Sequence, residues 1–381
     1  MKNSAAVGII GGGISGASAA YFLTKLGVND IVIFEKSYLS SGSTGRCGGG
    51  IRQQWTTPAN VKLAMRSVHH FERYEEELDF GFDYVQKGYL LLAFTDKEKA
   101  AFAKTVEMQK SLGLKVDLVT KEDAKEIVPH LNTSELVAAS FCPTDGLGNP
   151  FLATYGYIER VKEKGGTVLN HTRVTAIERK GGEYLVRTDK GDFTCKYILN
   201  AAGPWARDCA EMLGYDIPVK PERHQILVTE PLERMVGPMI IDFYHGFYGS
   251  QEKKGGFVMG EGDPSEPESY KVSSHWKFIE SIARKFTYLF PGFRDVKILR
   301  QWAGSYCVSP DAQPILGPIS DNDPNYMLSV GYSGHGFMLA PATGEAVAEW
   351  IVHGKPRTMD ISHLTMERIR KGDFDQEHNV V

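Results

Sequence analysis

Apolar residues in this chain fall into two recurring patterns. Short β-branched runs are bounded by glycines, and longer stretches repeat an apolar residue every three or four positions. Both occur at the start. Val7-Gly8-Ile9-Ile10 breaks at Gly11-Gly12-Gly13-Ile14-Ser15-Gly16, an amphipathic stretch runs from Ala17 to Gly27, and Ile31-Val32-Ile33-Phe34 ends in Glu35. That order predicts strand, tight turn, helix and second strand over residues 5–35.

The same reading continues along the chain. Pro58 opens a predicted helix to about Leu78, with Val61, Ala64, Met65, Val68 and Phe71 at helical spacing. Tyr84 to Phe94 reads as strand and turn, followed by helices near 97–112 and 121–127, the second stopped by Pro129. A turn at Asp145 to Pro150 leads into a helix to about Lys164. Short strands follow at 167–169, 172–177 and 184–186, then a buried-looking strand, Tyr197 to Gly203, and a helix from Trp205. Segments 223–229, 239–241, 247–248 and 256–259 alternate as an antiparallel sheet does. A helix over 274–288, strands over 296–303 and 326–330, a second glycine turn (Gly331 to Gly336) and a helix to Val352 complete the pattern. The polar stretch after Lys371 is expected to be disordered or bound to a partner.

The element order predicts an α/β protein. A Rossmann-type nucleotide-binding domain (1–80, 145–220 and 312–381) is interleaved with an antiparallel-sheet α+β substrate domain (81–144 and 221–311). A length of 381 residues agrees with two cores. The net charge of -4 and the lack of a basic cluster argue against nucleic-acid binding. No apolar run is long enough to span a bilayer, and the N-terminal residues do not resemble a signal peptide. The five cysteines contain no C-x-x-C, so no local metal or iron–sulfur motif is expected and a reducing cytoplasm is.

In the first turn, Gly11 permits the tight bend, Gly13 lets the backbone approach a pyrophosphate, and Gly16 lets the helix pack on the strand. Ile14 and Ser15 begin that helix, whose positive end suits phosphate. Glu35, with Lys36 beside it, is placed to accept from ribose hydroxyls. The loop Ser43-Thr44-Gly45-Arg46-Cys47-Gly48-Gly49 is too polar and glycine-rich to build a core, and reads as a cofactor-covering loop or a flexible linker. Ala202 and Gly203 are small enough for the backbone to lie beside a cofactor. Val174 either packs near an adenine or is an ordinary strand valine.

Together these motifs resemble the FAD-dependent amine oxidoreductases of the D-amino acid oxidase, glycine oxidase and sarcosine oxidase type. The resemblance also rests on Asn200 to Trp205, Trp302 to Tyr306, Pro314 to Gly317 and Gly331 to Phe337. Within the family it is most similar to the β subunits of heteromeric sarcosine oxidases and of archaeal dye-linked L-proline dehydrogenases, through the run Arg46 to Trp55. The resemblance implies FAD bound by the nucleotide domain and a small amino-acid substrate beneath the second sheet. It implies hydride transfer to flavin N5 from a carbon next to the amine nitrogen. Trp205, Gly304, Gly334, His335, Gly336, Phe337 and Met338 join the cofactor-binding set, and the second glycine turn would face the charge on a reduced flavin.

On the substrate side, Arg52 matches a carboxylate-holding position, although a solvated surface arginine is the alternative. Tyr248 and Tyr306 match aromatic lining positions or serve as core. His224 is either a proton acceptor or a structural histidine. Met338 stands where monomeric sarcosine oxidases have a lysine, and Tyr306 where glycine oxidases have an arginine. Gly304 stands where a cysteine tethers flavin, so non-covalent FAD is expected. The expected reaction is oxidation of L-proline to pyrroline-5-carboxylate by a catalytic β subunit with an α partner and a separate electron acceptor. A second flavin (FMN) is expected at a subunit interface, with Cys47 to Gly50 as its approach. The alternatives are a sarcosine or glycine oxidase using oxygen, and an FAD subunit for electron relay or assembly.

Overall fold

The computed structural model describes residues 3–263 and 265–379. β1 (Ser4–Ile10), α1 (Ile14–Lys25) and β2 (Ile31–Phe34) form as the apolar pattern predicts. β1 lies between β2 and the strand Gly191–Asn200, parallel to both. Thr167–Leu169 extends the sheet beyond β2, and Asp323–Val330 extends it beyond Gly191–Asn200, each in parallel. Val174–Lys180, Glu183–Thr188 and Ile315–Ser320 join as antiparallel strands to make eight. β1 is covered on both faces, Val7 and Ile9 entering one core and Ile10 another, which explains its unbroken apolar character. On one face α1 packs against the helix Gly336–His353. Ser18 Oγ donates to Ala340 O at 2.9 Å, where a Cβ on Gly344 would stand 2.5 Å from that hydroxyl.

The second eight-stranded sheet runs in the order Ile298–Val308, Lys220–Thr229, Phe257–Glu261, Phe247–Gln251, Met239–Asp242, Tyr89–Ala93, Ala138–Cys142, Asp117–Val119. Its neighbours are antiparallel except Met239–Asp242 with Tyr89–Ala93. The two-residue period sorts its side chains. Leu90 and Leu92 join Phe278, Ile282 and Phe286 of the helix Trp276–Leu289, whereas Tyr89 and Leu91 join Met239 and Ile241 on the opposite face. That opposite face carries the candidate site. A third sheet of Gly50–Ile51, Gly146–Leu147 and Val85–Gln86 lies beside Tyr89, whose hydroxyl would collide with a Cβ on Gly50.

The structure departs from the sequence reading in several elements. The helix expected over 58–78 is two, Pro58–Glu72 (α2) and Tyr74–Leu78, interrupted at Arg73. The strand expected over 296–303 runs to Val308, because its pairing with Lys220–Thr229 continues through Cys307 and Val308. The stretch after Lys371 is folded against the body: Glu377 and Asn379 are buried, and their partners replace the expected disorder. All five cysteines are unpaired. Among the described residues, no helix is long and apolar enough to cross a membrane.

Candidate functional site

The N-terminus of α1 opens into a cavity of about 720 Å³. Its cap position is Gly13, which offers no side chain; Thr44 Oγ1 accepts from Ile14 N at 3.1 Å, and the rest of the positive end faces the cavity. Gly11 has φ +114°, and a Cβ there would stand 2.4 Å from Ala201 O, so only glycine makes this bend. The Glu35 carboxylate accepts from Gly12 N at 2.9 Å and Ser37 N at 2.7 Å while lining the cavity. Lys36 sets its ammonium 2.8 Å from the Trp205 ring centroid, and Tyr270 stacks on that indole at 5.8 Å. Burial, with Arg173 adding to it, lowers the Lys36 pKa to about 8. A helix N-terminus, an acid and a flat aromatic platform lining one cavity of about 720 Å³ fit a dinucleotide.

This cavity is lined by Gly11, Gly13, Ile14, Ser15, Glu35, Lys36, Ser43, Thr44, Arg46, Cys47, Val174, Ala202, Gly203, Trp205, Tyr306, Gly334, Gly336 and Phe337. Gly16 is not brought to it. A Cβ there would stand 2.2 Å from Gly11 O and 3.2 Å from Ile9, so its place is the contact of α1 with β1. The loop from Ser43 is held against the second sheet. Ser43 Oγ donates to Ser305 O (2.5 Å), Arg46 Nη1 to Ala303 O (3.0 Å) and Trp302 Nε1 to Arg46 O (3.0 Å). It is therefore an ordered cover and not a flexible linker.

Gly48, Gly49, Gly304, His335 and Met338 line a smaller adjoining cavity of about 110 Å³, together with Arg52, His224, Tyr248 and Tyr306. Cys47, Arg46, Tyr306, Gly334 and Phe337 border both cavities. A Cβ on Gly48 would touch Tyr248 and one on Gly49 would meet Gly148 O, so this loop packs inward.

Arg52 is only 5% exposed, which excludes the solvated-surface reading. Its guanidinium carbon lies 4.0 Å from the Trp55 ring centroid and its Nη2 donates to the main-chain oxygen of Asn379. Nε and Nη1 have no protein partner among the described residues. His224 Nε2 is 3.0 Å from Tyr248 Oη, and its ring stacks on Tyr306 at 4.4 Å. Burial pushes the His224 pKa down to about 4, so the ring is neutral near pH 7. Burial also pushes the Tyr89, Tyr248 and Tyr306 phenols above their usual value, keeping them protonated. Gly334, at φ +96°, leaves room for Tyr306, whose ring would lie 2.6 Å from a Cβ there. His335 is buried with its ring centroid 4.6 Å from that of Trp55 and both ring nitrogens unpartnered among the described residues, and burial lowers its pKa to about 3. The small cavity thus sets the Arg52 guanidinium among neutral aromatic walls, with Arg46 at its border with the larger cavity.

Several contributing residues were not singled out from the sequence. Asp145 was read only as part of a turn, yet its buried carboxylate accepts from Gln53 N (2.8 Å), Gln53 Nε2 (3.1 Å) and Gln54 Nε2 (2.9 Å), fixing the chain next to Arg52. Desolvation raises its pKa to about 6. Two glutamines between Arg52 and Trp55 were the available signal, because such a polar pair beside an apolar ring needs buried partners. Tyr89, Glu377 and Asn379 gave no local signal. Among the described residues, no group of three or more His, Cys, Asp or Glu is placed to hold a metal ion.

Comparison with known proteins agrees with this geometry. The structure is similar to that of L-proline dehydrogenase from P. horikoshii, with a TM-score of 0.94 and 37% identity over 98% of this chain and 100% of that one. The sequence is 27% identical to the sarcosine oxidase subunit beta of Rhizobium meliloti (strain 1021), over 96% of this chain and 88% of that protein. It is 28% identical to the mitochondrial dimethylglycine dehydrogenase of Rattus norvegicus over 97% of this chain, which spans only 45% of that longer relative. The family model described as FAD dependent oxidoreductase matches residues 6–350, and the chain therefore belongs to the FAD-dependent oxidoreductase family.

Proposed function

We propose that this chain oxidises a small secondary amino acid, L-proline, to pyrroline-5-carboxylate as the catalytic subunit of a dehydrogenase. The observation that carries the reading is Arg52. It is a buried guanidinium with Nε and Nη1 unpartnered, on the wall of a small aromatic cavity adjoining a dinucleotide cavity. A guanidinium left with free donors in low dielectric is suited to a carboxylate. The cavity of about 110 Å³ is well below the ~300–1,000 Å³ of drug-sized ligand sites, which favours a small substrate.

Bound FAD supplies a two-electron acceptor for the hydride leaving the carbon beside the amine nitrogen. The α1 N-terminus and Glu35 would hold its pyrophosphate and ribose, and the Gly334–Gly336 turn its ring end. With glycine at position 304, no thiol is offered there and FAD is held without a covalent link. Arg52 anchors the substrate carboxylate and so sets which carbon faces the flavin. Tyr248 and Tyr306 exclude water, and neutral His224 fixes the Tyr248 hydroxyl without adding a charge. The nucleotide and substrate units divide as 1–80, 145–220 and 312–381 against 81–144 and 221–311. Electrons leave through a partner subunit that carries the next acceptor, an FMN at the interface being the expected carrier.

Sarcosine is the second substrate reading, favoured by the similarity to sarcosine oxidase β subunits. It also presents the oxidised carbon on the far side of nitrogen from the carboxylate. The test is anaerobic visible absorbance of the FAD-loaded chain with L-proline, sarcosine, glycine and D-amino acids added in turn. Bleaching by L-proline and not by the others is expected. An unbleached flavin with L-proline overturns the reading, and fast recovery with stoichiometric peroxide on re-aeration turns the dehydrogenase into an oxidase.

A further inference from the structure

Arg52 is reached by a segment 327 positions away. Beyond the helix Met366–Lys371 the chain doubles back, and Glu377 buries its carboxylate at the start of α2. Glu377 Oε1 accepts from Thr56 N (3.0 Å), Thr56 Oγ1 (2.6 Å) and Asn379 N (3.0 Å). Oε2 accepts from Thr57 N (3.2 Å), Thr57 Oγ1 (3.0 Å) and Asn60 Nδ2 (3.1 Å). Every contact is a donor facing the acid, so only a carboxylate satisfies the site. Burial works to raise its pKa, but these hydrogen bonds, with Thr56 foremost, outweigh it and keep the group ionised. The charge also sits at the N-terminal end of α2, where a negative group suits the helix dipole, while its bonds run to Thr56 and Thr57, ahead of the first helical residue Pro58, and to the Asn60 side chain.

The other contacts lead to Arg52. Asn379 Nδ2 donates to Gln54 O at 3.1 Å, and the Asn379 main-chain oxygen takes Arg52 Nη2. Upstream, Glu377 N donates to Asp311 O at 3.1 Å, and the Asp311 carboxylate is gripped by Arg368 at 2.7 and 3.0 Å. The segment is thus tied at both ends. Trp55 covers one face of the guanidinium and Asn379 occupies Nη2, which leaves Nε and Nη1 as the donors unpartnered among the described residues.

We propose that residues 375–379 are a positioning element of the substrate site. Glu377 docks the segment on Thr56, Thr57 and Asn60, and the Asn379 main-chain oxygen then holds Arg52 by Nη2, leaving Nε and Nη1, on different edges of the guanidinium, as the donors from which a substrate carboxylate takes its bond. The inference rests on Arg52 being the carboxylate holder. Glu377 and Asn379 do not themselves touch substrate; they act through Arg52.

The test measures Kd for pyrrole-2-carboxylate, a non-oxidised ring carboxylate, from the perturbation of the flavin spectrum of the FAD-loaded chain. Glu377→Gln is expected to weaken binding about tenfold or more with FAD retained, the scale of a hydrogen bond to a charged group. In an Arg52→Lys background, which lacks Nη2, that effect should largely vanish, whereas a general structural defect would add to it. Deletion of residues 375–381 should match Glu377→Gln. An unchanged Kd in Glu377→Gln alongside a raised Kd in Arg52→Lys overturns the positioning role alone. The same holds for an undiminished Glu377→Gln effect in the Arg52→Lys background. An unchanged Kd in Arg52→Lys, or no binding by the parent chain, removes the carboxylate-holder reading and this inference with it.

Discussion

Arg52 brings a full charge into a place where charge is costly, and His224 and His335 refuse one for the same reason. Unfolded histidines bind protons below about pH 6.5, whereas folded His224 does so only below about 4 and His335 below about 3. Between those limits the unfolded chain holds more protons, so each histidine makes stability fall as the pH is lowered. Asp145 works in the opposite direction, since its folded pKa of about 6 lets the native state take up the proton first. The clean observable is therefore a difference between variants. His224→Phe keeps an aromatic ring against Tyr306 and removes the titration. Its loss of stability between pH 7 and pH 4 should be smaller than the parent's by roughly 3 kcal/mol. Denaturant unfolding at the two pH values measures this, and parallel pH profiles would contradict it. From the sequence, Arg52 and His224 were each left with two readings, because nothing near them in the chain reports their burial.

The β1–turn–α1 element is the part most legible in the sequence, because its requirements are local. Gly11 must adopt φ +114° with Ala201 O where a Cβ would go. Gly27, also left-handed at φ +86°, has nothing within 4 Å of that position. Gly27→Ala should therefore cost only the strain of the left-handed backbone, about 1–2 kcal/mol. Gly11→Ala should cost more than that and release FAD as the turn moves. Thermal unfolding together with the ratio of flavin to protein absorbance separates the two, and equal behaviour of the variants would count against this account. Helix Lys121–Ile127 was equally legible, with Thr120 and Asp123 forming a capping box at its start. The start of α2 was only half legible. Pro58 marks its first turn, but the carboxylate at its N-terminal end comes from Glu377, far beyond any local window.

Across the molecule, the cofactor loop ties the two large sheets together. Arg46 binds the loop to the second sheet, donating to Ala303 O at 3.0 Å while its own carbonyl accepts from Trp302, and its Nε donates within the loop to Ser41 O at 3.2 Å. Arg46→Ala removes the side-chain half of that bridge and leaves each sheet's core intact. The expected outcome is weaker FAD retention and a higher KM, with Tm lowered by only a few degrees. A variant with normal flavin content and KM would show the bridge to be incidental. The sequence by itself determined the elements, their interleaved order and the dinucleotide turn, since periodicity and glycine conformations act over a few residues. The tertiary structure decided which charges are buried, which cavity each glycine faces, and which groups complete Arg52 and α2. Those depend on desolvation and hydrogen-bond partners brought together from positions hundreds of residues apart.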